Sequence, residues 1–262
     1  NKNMKYNQVE PHIDKEDISS VTKYLNSGGW ITEHGLTKEF EEKIKNTVDR
    51  KFAVAVPNGT IGIYLSLLAA GIGEGNRVAI PNITMIATIN AALWANAIPV
   101  LVDVDENFCM SYEELIKNKN LDAVLYVPLN GRAGKGEKIN EWCKKNDIKF
   151  IEDSAHALGS SYEHQKCGSL GDLSIFSFTP HKIITMGQGG MILTDNEDFY
   201  DRLTDLKTFN RSKDKIDWHK GFGLNFKITD LQASLGLSQF EKLENFIDNK
   251  KTTFKNYQKH IL

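Results

Sequence analysis

Long apolar runs, dense basic clusters and paired cysteines are all wanting in this 262-residue chain. No apolar stretch approaches the ~20 residues that cross a bilayer, so a membrane span is not expected. Net charge is -2, and Lys and Arg form no dense run. That argues against nucleic acid or an anionic membrane as a partner, because both require clustered positive charge. The three cysteines, Cys109, Cys143 and Cys167, are odd in number and lack CxxC spacing, suggesting neither a disulfide framework nor a zinc knuckle. They read as reduced thiols. The polar opening "NKNMKYNQVE" has no signal-peptide character, so the expected location is cytoplasmic. Repeats of solenoid period and low-complexity tracts are missing too. What is present is an ordinary globular composition, 40% hydrophobic and 25% charged, long enough to bury a sizeable core. A small neutral or mildly anionic ligand suits it best.

Helical and strand patterns take turns along the chain. "DKEDISSVTKYLNSGG" is amphipathic, with an acidic first turn and a glycine stop, and "TKEFEEKIKNTV" reads as a second helix opened by Thr37. "KFAVAVPNG" is a short strand that ends in a turn. "TIGIYLSLLAAGI" comes next, with Ile61, Tyr64, Leu65 and Leu68 at helical spacing. "RVAIP" and "IPVLVDVD" are apolar strands around the helix "MIATINAALWANA". "AVLYVPL", "KFIED", "LSIFSF" and "GGMILTD" add four more strands, with the helix "KGEKINEWCKKND" between the first two. Seven buried, non-alternating strands interleaved with helices predict an α/β fold with a mostly parallel sheet covered on both faces. Ligands of such sheets sit beyond the carboxyl ends of the strands.

Four strand ends and loops carry candidate chemistry. In "VPNGTIG", Asn58 can cap a helix whose first amides, from Gly59 and Thr60, suit an anion; an ordinary cap is the plain alternative. In "FIEDSAHALGS", Glu152 and Asp153 leave a strand just before His156, where a helix cap and a structural histidine are the plain readings. In "FSFTPHKIITMGQGG", Ser177 and Lys182 come after a strand and precede a glycine cluster that leaves room against the backbone. In "GFGLNFKITDLQASLG", Asn225 precedes a helix that begins near Thr229. Together these residues supply an anion cradle, a carboxylate and a lysine at one sheet edge. Pyridoxal 5'-phosphate (PLP) needs that combination: an amine to bond its aldehyde, a carboxylate to keep its ring nitrogen protonated, and donors for its phosphate.

The chain also resembles the DegT-type family of PLP-dependent sugar nucleotide aminotransferases, through six ordered segments. They are "YLNSGGWITEHGLTKEFEEKI", "PNGTIGIYLSLLAAGI", "IPNITMIATINAAL", "IEDSAHALGSSY", "FSFTPHKIITMGQGGMILTD" and "GLNFKITDLQASLGLSQFEKL". The resemblance implies the PLP-dependent transferase fold type I and transfer of an amino group, with glutamate as donor, to a nucleotide-linked keto sugar in surface polysaccharide synthesis. It implies that Lys182 bonds the cofactor and moves protons, that Asp153 faces the ring nitrogen, and that Gly59, Thr60 and Ser177 hold the phosphate. It places His156 near the phenolic oxygen and Asn225 at the phosphate of a neighbouring subunit, hence a homodimer.

Some positions depart from the family pattern. Met85 stands where an aromatic residue commonly stacks on the ring, Gln188 where an acidic residue is common, and Lys227 where arginine is common. Relatives continue roughly a hundred residues further, into a small domain. The expectation is therefore a large PLP-binding α/β domain over residues 1–240, then at 241–262 the start of a helix leading to a C-terminal small domain that is missing here. "GGWITEHG" and the loop from Lys207 to Lys220 are candidate substrate contacts. A PLP-dependent sugar dehydratase and a non-catalytic module on the same fold are the alternatives. A dinucleotide site is disfavoured, because "GIGEGN" comes after a helix and not a strand.

Overall fold

Five-residue runs of Val, Ile, Leu, Ala and Phe are too short for stable helices and apolar on both sides, so they settle in the middle of a covered sheet. The computed structural model describes residues 9–212, 214 and 217–260. Helices α1 (Lys15–Asn26) and α2 (Gly35–Thr47) precede β1 (Phe52–Val56), α3 (Gly59–Ala69), β2 (Arg77–Pro81), α4 (Ile86–Trp94) and β3 (Ile98–Val102). Then come α5 (Tyr112–Leu115), β4 (Ala123–Tyr126), α6 (Gly136–Lys145), β5 (Lys149–Asp153) and a small hairpin, β6 (Ser161–Tyr162) and β7 (Gln165–Lys166). The described chain closes with β8 (Leu173–Ser177), β9 (Gly190–Thr194), α7 (Glu197–Lys207), α8 (Asp230–Phe240) and α9 (Leu243–His260).

Seven strands form one sheet in the order β1-β9-β8-β5-β4-β2-β3. β9 is antiparallel to both its neighbours, and the other pairings are parallel. The mostly parallel sheet read from the sequence is therefore found, with β9 as its one reversed strand. Side chains alternate between two buried faces. Val54, Ile80, Leu125, Ile151 and Ile175 pack with α3 and α4 on one face. On the other, Ala55, Phe176 and Met191 pack with α2 and α8, while Val124, Phe150 and Tyr126 pack with α5 and α6. Helix α3 lies between the sheet, α4 and α7, so Ile63 and Leu67 are buried along with Ile61 and Leu65, while Tyr64 and Leu68 are partly buried. Each such side chain contributes about 1.5–3 kcal/mol of apolar burial.

Some elements differ from the sequence expectation. Helix α2 starts at Gly35, so Thr37 is not its cap but a buried residue inside its first turn. The cap comes from far along the chain: the Asp230 carboxylate accepts from the amides of His34, Leu36 and Thr37 and from the Thr37 hydroxyl at 2.7–2.9 Å. The last helix begins at Leu243, within the stretch 241–262 expected to start it; Leu243 is buried, and Phe246 and Ile247 pack on the core. Helix α7, absent from the sequence expectation, has ordinary local signals: Asn196 caps it, Glu197 and Asp198 fill its first turn and Lys207 its last. Among the described residues no helix is long and apolar enough to cross a membrane.

Candidate active site

Parallel strands end together, and the residues just beyond those ends line one cavity of about 250 Å³. Asn58, Gly59 and Thr60 come after β1, and Thr84, Met85 and Ala87 after β2. Val127 comes after β4, Asp153 closes β5 with Ala155 and His156 behind it, and Ser177 closes β8 with Thr179, His181 and Lys182 behind it. Gln188 enters from just before β9. Thus Lys182, Asp153, Gly59, Thr60, Ser177, His156 and Met85 share one cavity, although 29 residues separate Asp153 from Lys182 in the chain and 94 separate Gly59 from Asp153. Asn225 does not line it; that residue is exposed in a bridge to Thr208.

Alternation along the strands selects the groups. Asp153 and Ser177 project on the α3/α4 face, where Ile151 and Ile175 also lie. Glu152, one residue earlier, points the other way and accepts from the amides of Gly168 and Leu170 at 3.0 and 3.1 Å. Of the two carboxylates leaving β5, only Asp153 serves the cavity; Glu152 anchors a loop.

At the β1 end, the Asn58 side chain accepts from the Ile61 amide at 3.0 Å, so the first two amides of α3, on Gly59 and Thr60, are left with no acceptor within the helix. A Cβ on Gly59 would lie 3.1 Å from the Ser177 Cβ, so glycine lets the helix terminus and the Ser177 hydroxyl share one cradle. A Cβ on Gly190 would lie 2.7 Å from the carbonyl carbon and oxygen of Asn58, which explains the last glycine of "GQGG".

Asp153 is almost fully buried, and burial pushes its carboxyl up from the usual carboxylate range. Opposing this are the Thr88 hydroxyl at 2.9 Å, the Ala155 amide at 3.3 Å and the charge of Lys182. Burial pushes the Lys182 amine down, partly offset by Asp153. A half-buried amine with a lowered proton affinity is a better nucleophile than a solvated one. His156 is pushed down to about 4, chiefly by burial and then by Lys182 and His181, so its imidazole is neutral at neutral pH. Its buried Nδ1 finds no partner among the described residues.

The departures resolve individually. Met85 is exposed at the cavity mouth, and its Sδ accepts from the Ala87 amide at 3.0 Å, so it also caps α4. The Gln188 carbonyl accepts from Gln232 at 2.8 Å. Lys227 lies outside the cavity with its ammonium 6.0 Å from the Phe209 ring. Lys207 is not a surface contact for substrate: it is 3% exposed, pairs with Glu33 at 2.9 Å and donates to the Ala55 carbonyl. Residues 213, 215 and 216 of the same candidate loop lie outside the described residues. "GGWITEHG" does not line the cavity either. Sequence reading missed Thr88, Thr179 and His181; for Thr88 no local signal was available, because its partner Asp153 is 65 residues away.

The donor set suits PLP: unpaired helix amides and a hydroxyl for an anion, a buried carboxylate, an amine in reach of the same cavity, and an orphan imidazole nitrogen. Among the described residues no group of His, Cys, Asp and Glu could hold a metal ion. A seven-stranded sheet in this order, with ligand groups at its carboxyl edge, is the fold type I architecture of PLP-dependent aminotransferases.

Comparison narrows the class. The model of the DegT/DnrJ/EryC1/StrS aminotransferase family matches residues 11–261, and the chain belongs to that family. GDP-perosamine synthase of Escherichia coli O157:H7 is 37% identical over 264 residues, covering 98% of this chain and 72% of that protein. The aminotransferase TlmJ from Streptoalloteichus hindustanus superposes with a TM-score of 0.93 at 26% identity, covering 98% of this chain and 71% of that one. Spr1654 of Streptococcus pneumoniae, solved in PMP and PLP forms, gives TM-scores of 0.89 and 0.88 at 27% identity, over 97% of this chain and 70% and 71% of that one. The chain spans between 63% and 72% of the length of such relatives.

Proposed function

We propose that this chain is a PLP-dependent aminotransferase that moves an amino group from an amino acid, glutamate, to a keto-deoxysugar carried on a nucleotide, in surface polysaccharide synthesis. The convergence of Lys182, Asp153 and the Gly59–Thr60 amides on one cavity carries the reading. The perosamine synthases among its relatives support the sugar substrate. PLP, when bound, supplies an electron sink for charge developed on the donor's α-carbon. Lys182 would bond the aldehyde of PLP and, once displaced, move a proton at that carbon. Asp153 would hold the ring nitrogen protonated, and Gly59, Thr60 and Ser177 would anchor the phosphate. His156, neutral, would face the phenolic oxygen. We assign the cofactor to residues 1–240, with α9 leading away from that domain. We also infer a homodimer in which Asn225 reaches the partner's phosphate; exposed Trp30, Ile31 and Phe222 on the surrounding loops favour such an interface.

Covalent capture tests the reading. Protein incubated with PLP should turn yellow and bleach on addition of glutamate, and borohydride should fix the cofactor on the peptide that contains Lys182. Lys182→Ala should lose both colour and label. Colourless wild-type protein, or label on another lysine, refutes it.

A further inference from the structure

We propose that Thr88 is a positioning residue for Asp153, and that the hydroxyls of Thr84 and Thr88 form a relay that keeps this carboxylate ionised and aimed at the cavity. The inference rests on the PLP reading for its catalytic meaning, but the relay itself belongs to the protein alone. Thr84 lies in the bend just before α4 and Thr88 in its first turn, and the path of the chain into the helix brings their hydroxyls together. Thr88 is fully buried. Its Oγ1 lies 2.9 Å from Asp153 Oδ2 and 3.0 Å from Thr84 Oγ1.

An ionised carboxylate only accepts, and a hydroxyl has one proton to give. With Asp153 charged, the Thr88 proton must point at Oδ2, and Thr88 must in turn accept from Thr84. Both bonds run toward the charge, and each strengthens the other. Were Asp153 protonated through Oδ2, the Thr88 bond would have to reverse. The relay therefore favours the anion, as a partner for a protonated ring nitrogen must be. The remaining support is thin: Oδ1 accepts only the longer 3.3 Å bond from Ala155. Lys182 is the charged group that acts on Asp153; Lys182 and His181 in turn act on His156, and Glu152 occupies the opposite face.

The test uses the cofactor-free full chain, labelled with 13C in its aspartate carboxyls, Asp153 being assigned with Asp153→Asn. Thr88→Val, which keeps the shape and removes the hydroxyl, should raise the Asp153 titration midpoint by about one to two pH units. Thr84→Val should raise it less, and Thr88→Ser should bring it back toward wild type. An unmoved midpoint in Thr88→Val overturns the relay; if that variant does not fold, an unmoved midpoint in Thr84→Val does. With 15N-labelled PLP, the ring nitrogen should lose its proton at lower pH in Thr88→Val than in wild type. Wild type that binds PLP while Thr88→Val shows an unchanged ring nitrogen removes the relay and leaves the proposed function standing. Wild type that never takes up PLP removes the proposed function and leaves the 13C titration to decide on Thr88.

Discussion

His156 shows how a side chain near the centre of a site can be read by its proton. Burial, with Lys182 and His181 beside it, holds its pKa at about 4, below the 6.5 of a free histidine. The folded chain therefore binds fewer protons than the unfolded one between these values, and stability from this residue is full above pH 6.5 and declines as pH falls toward 4. His156→Gln should flatten that part of the pH–stability curve, a comparison to be made by denaturant unfolding at pH 7 and pH 5. An unaltered slope would show that the imidazole titrates normally. The arrangement also bears on catalysis, because a neutral ring can donate to an oxygen anion without adding charge beside Lys182.

Strand β9 contributes to the site although it carries none of the expected catalytic groups. Running against its neighbours, it brings Gly190 to the edge where β1 and β8 end, opposite Val56 on one side and Ser177 on the other. The backbone of Asn58 and Gly59 then sits where a side chain at 190 would be. Because backbone cannot swing aside as a flexible side chain does, Gly190→Ala should destabilise the fold by about 1–3 kcal/mol. It should also weaken PLP binding by about tenfold or more through the displaced amides. Urea unfolding and fluorescence titration with PLP give the two values, and undiminished affinity would mean that the Gly59–Thr60 amides are not the phosphate anchor. On the opposite face Asp230 does comparable work, since one carboxylate at the start of α8 ties down the start of α2. Its four bonds to distant donors replace the local cap that α2 lacks.

For the whole molecule the open matter is whether a single chain completes the cavity. Asn225 lies outside it and on the surface. If that residue serves the partner's cofactor, Lys182→Ala and Asn225→Ala damage different halves of each site. Mixing the two variants then restores one intact site per mixed dimer, so an equal mixture should regain roughly a quarter of wild-type transamination. Failure of the mixture to exceed the sum of the separate variants would confine Asn225 to its own chain.

Much of this was legible from local pattern. Apolar five-residue runs between amphipathic segments dictated the strands, their burial and the parallel sheet, because those properties depend on neighbours close in the chain. The candidates Lys182, Asp153, Ser177, Gly59 and Thr60 could be named because each stands at a strand end, where such sheets bind ligands. Contacts between remote segments were not legible. That Asp153 and not Glu152 faces the cavity depended on which side of β5 meets α4. That Thr88 supports Asp153, that Asp230 caps α2 and that Lys207 is buried against Glu33 depended on long-range packing. No local pattern encodes the distance between groups that only the assembled sheet brings within hydrogen-bonding reach.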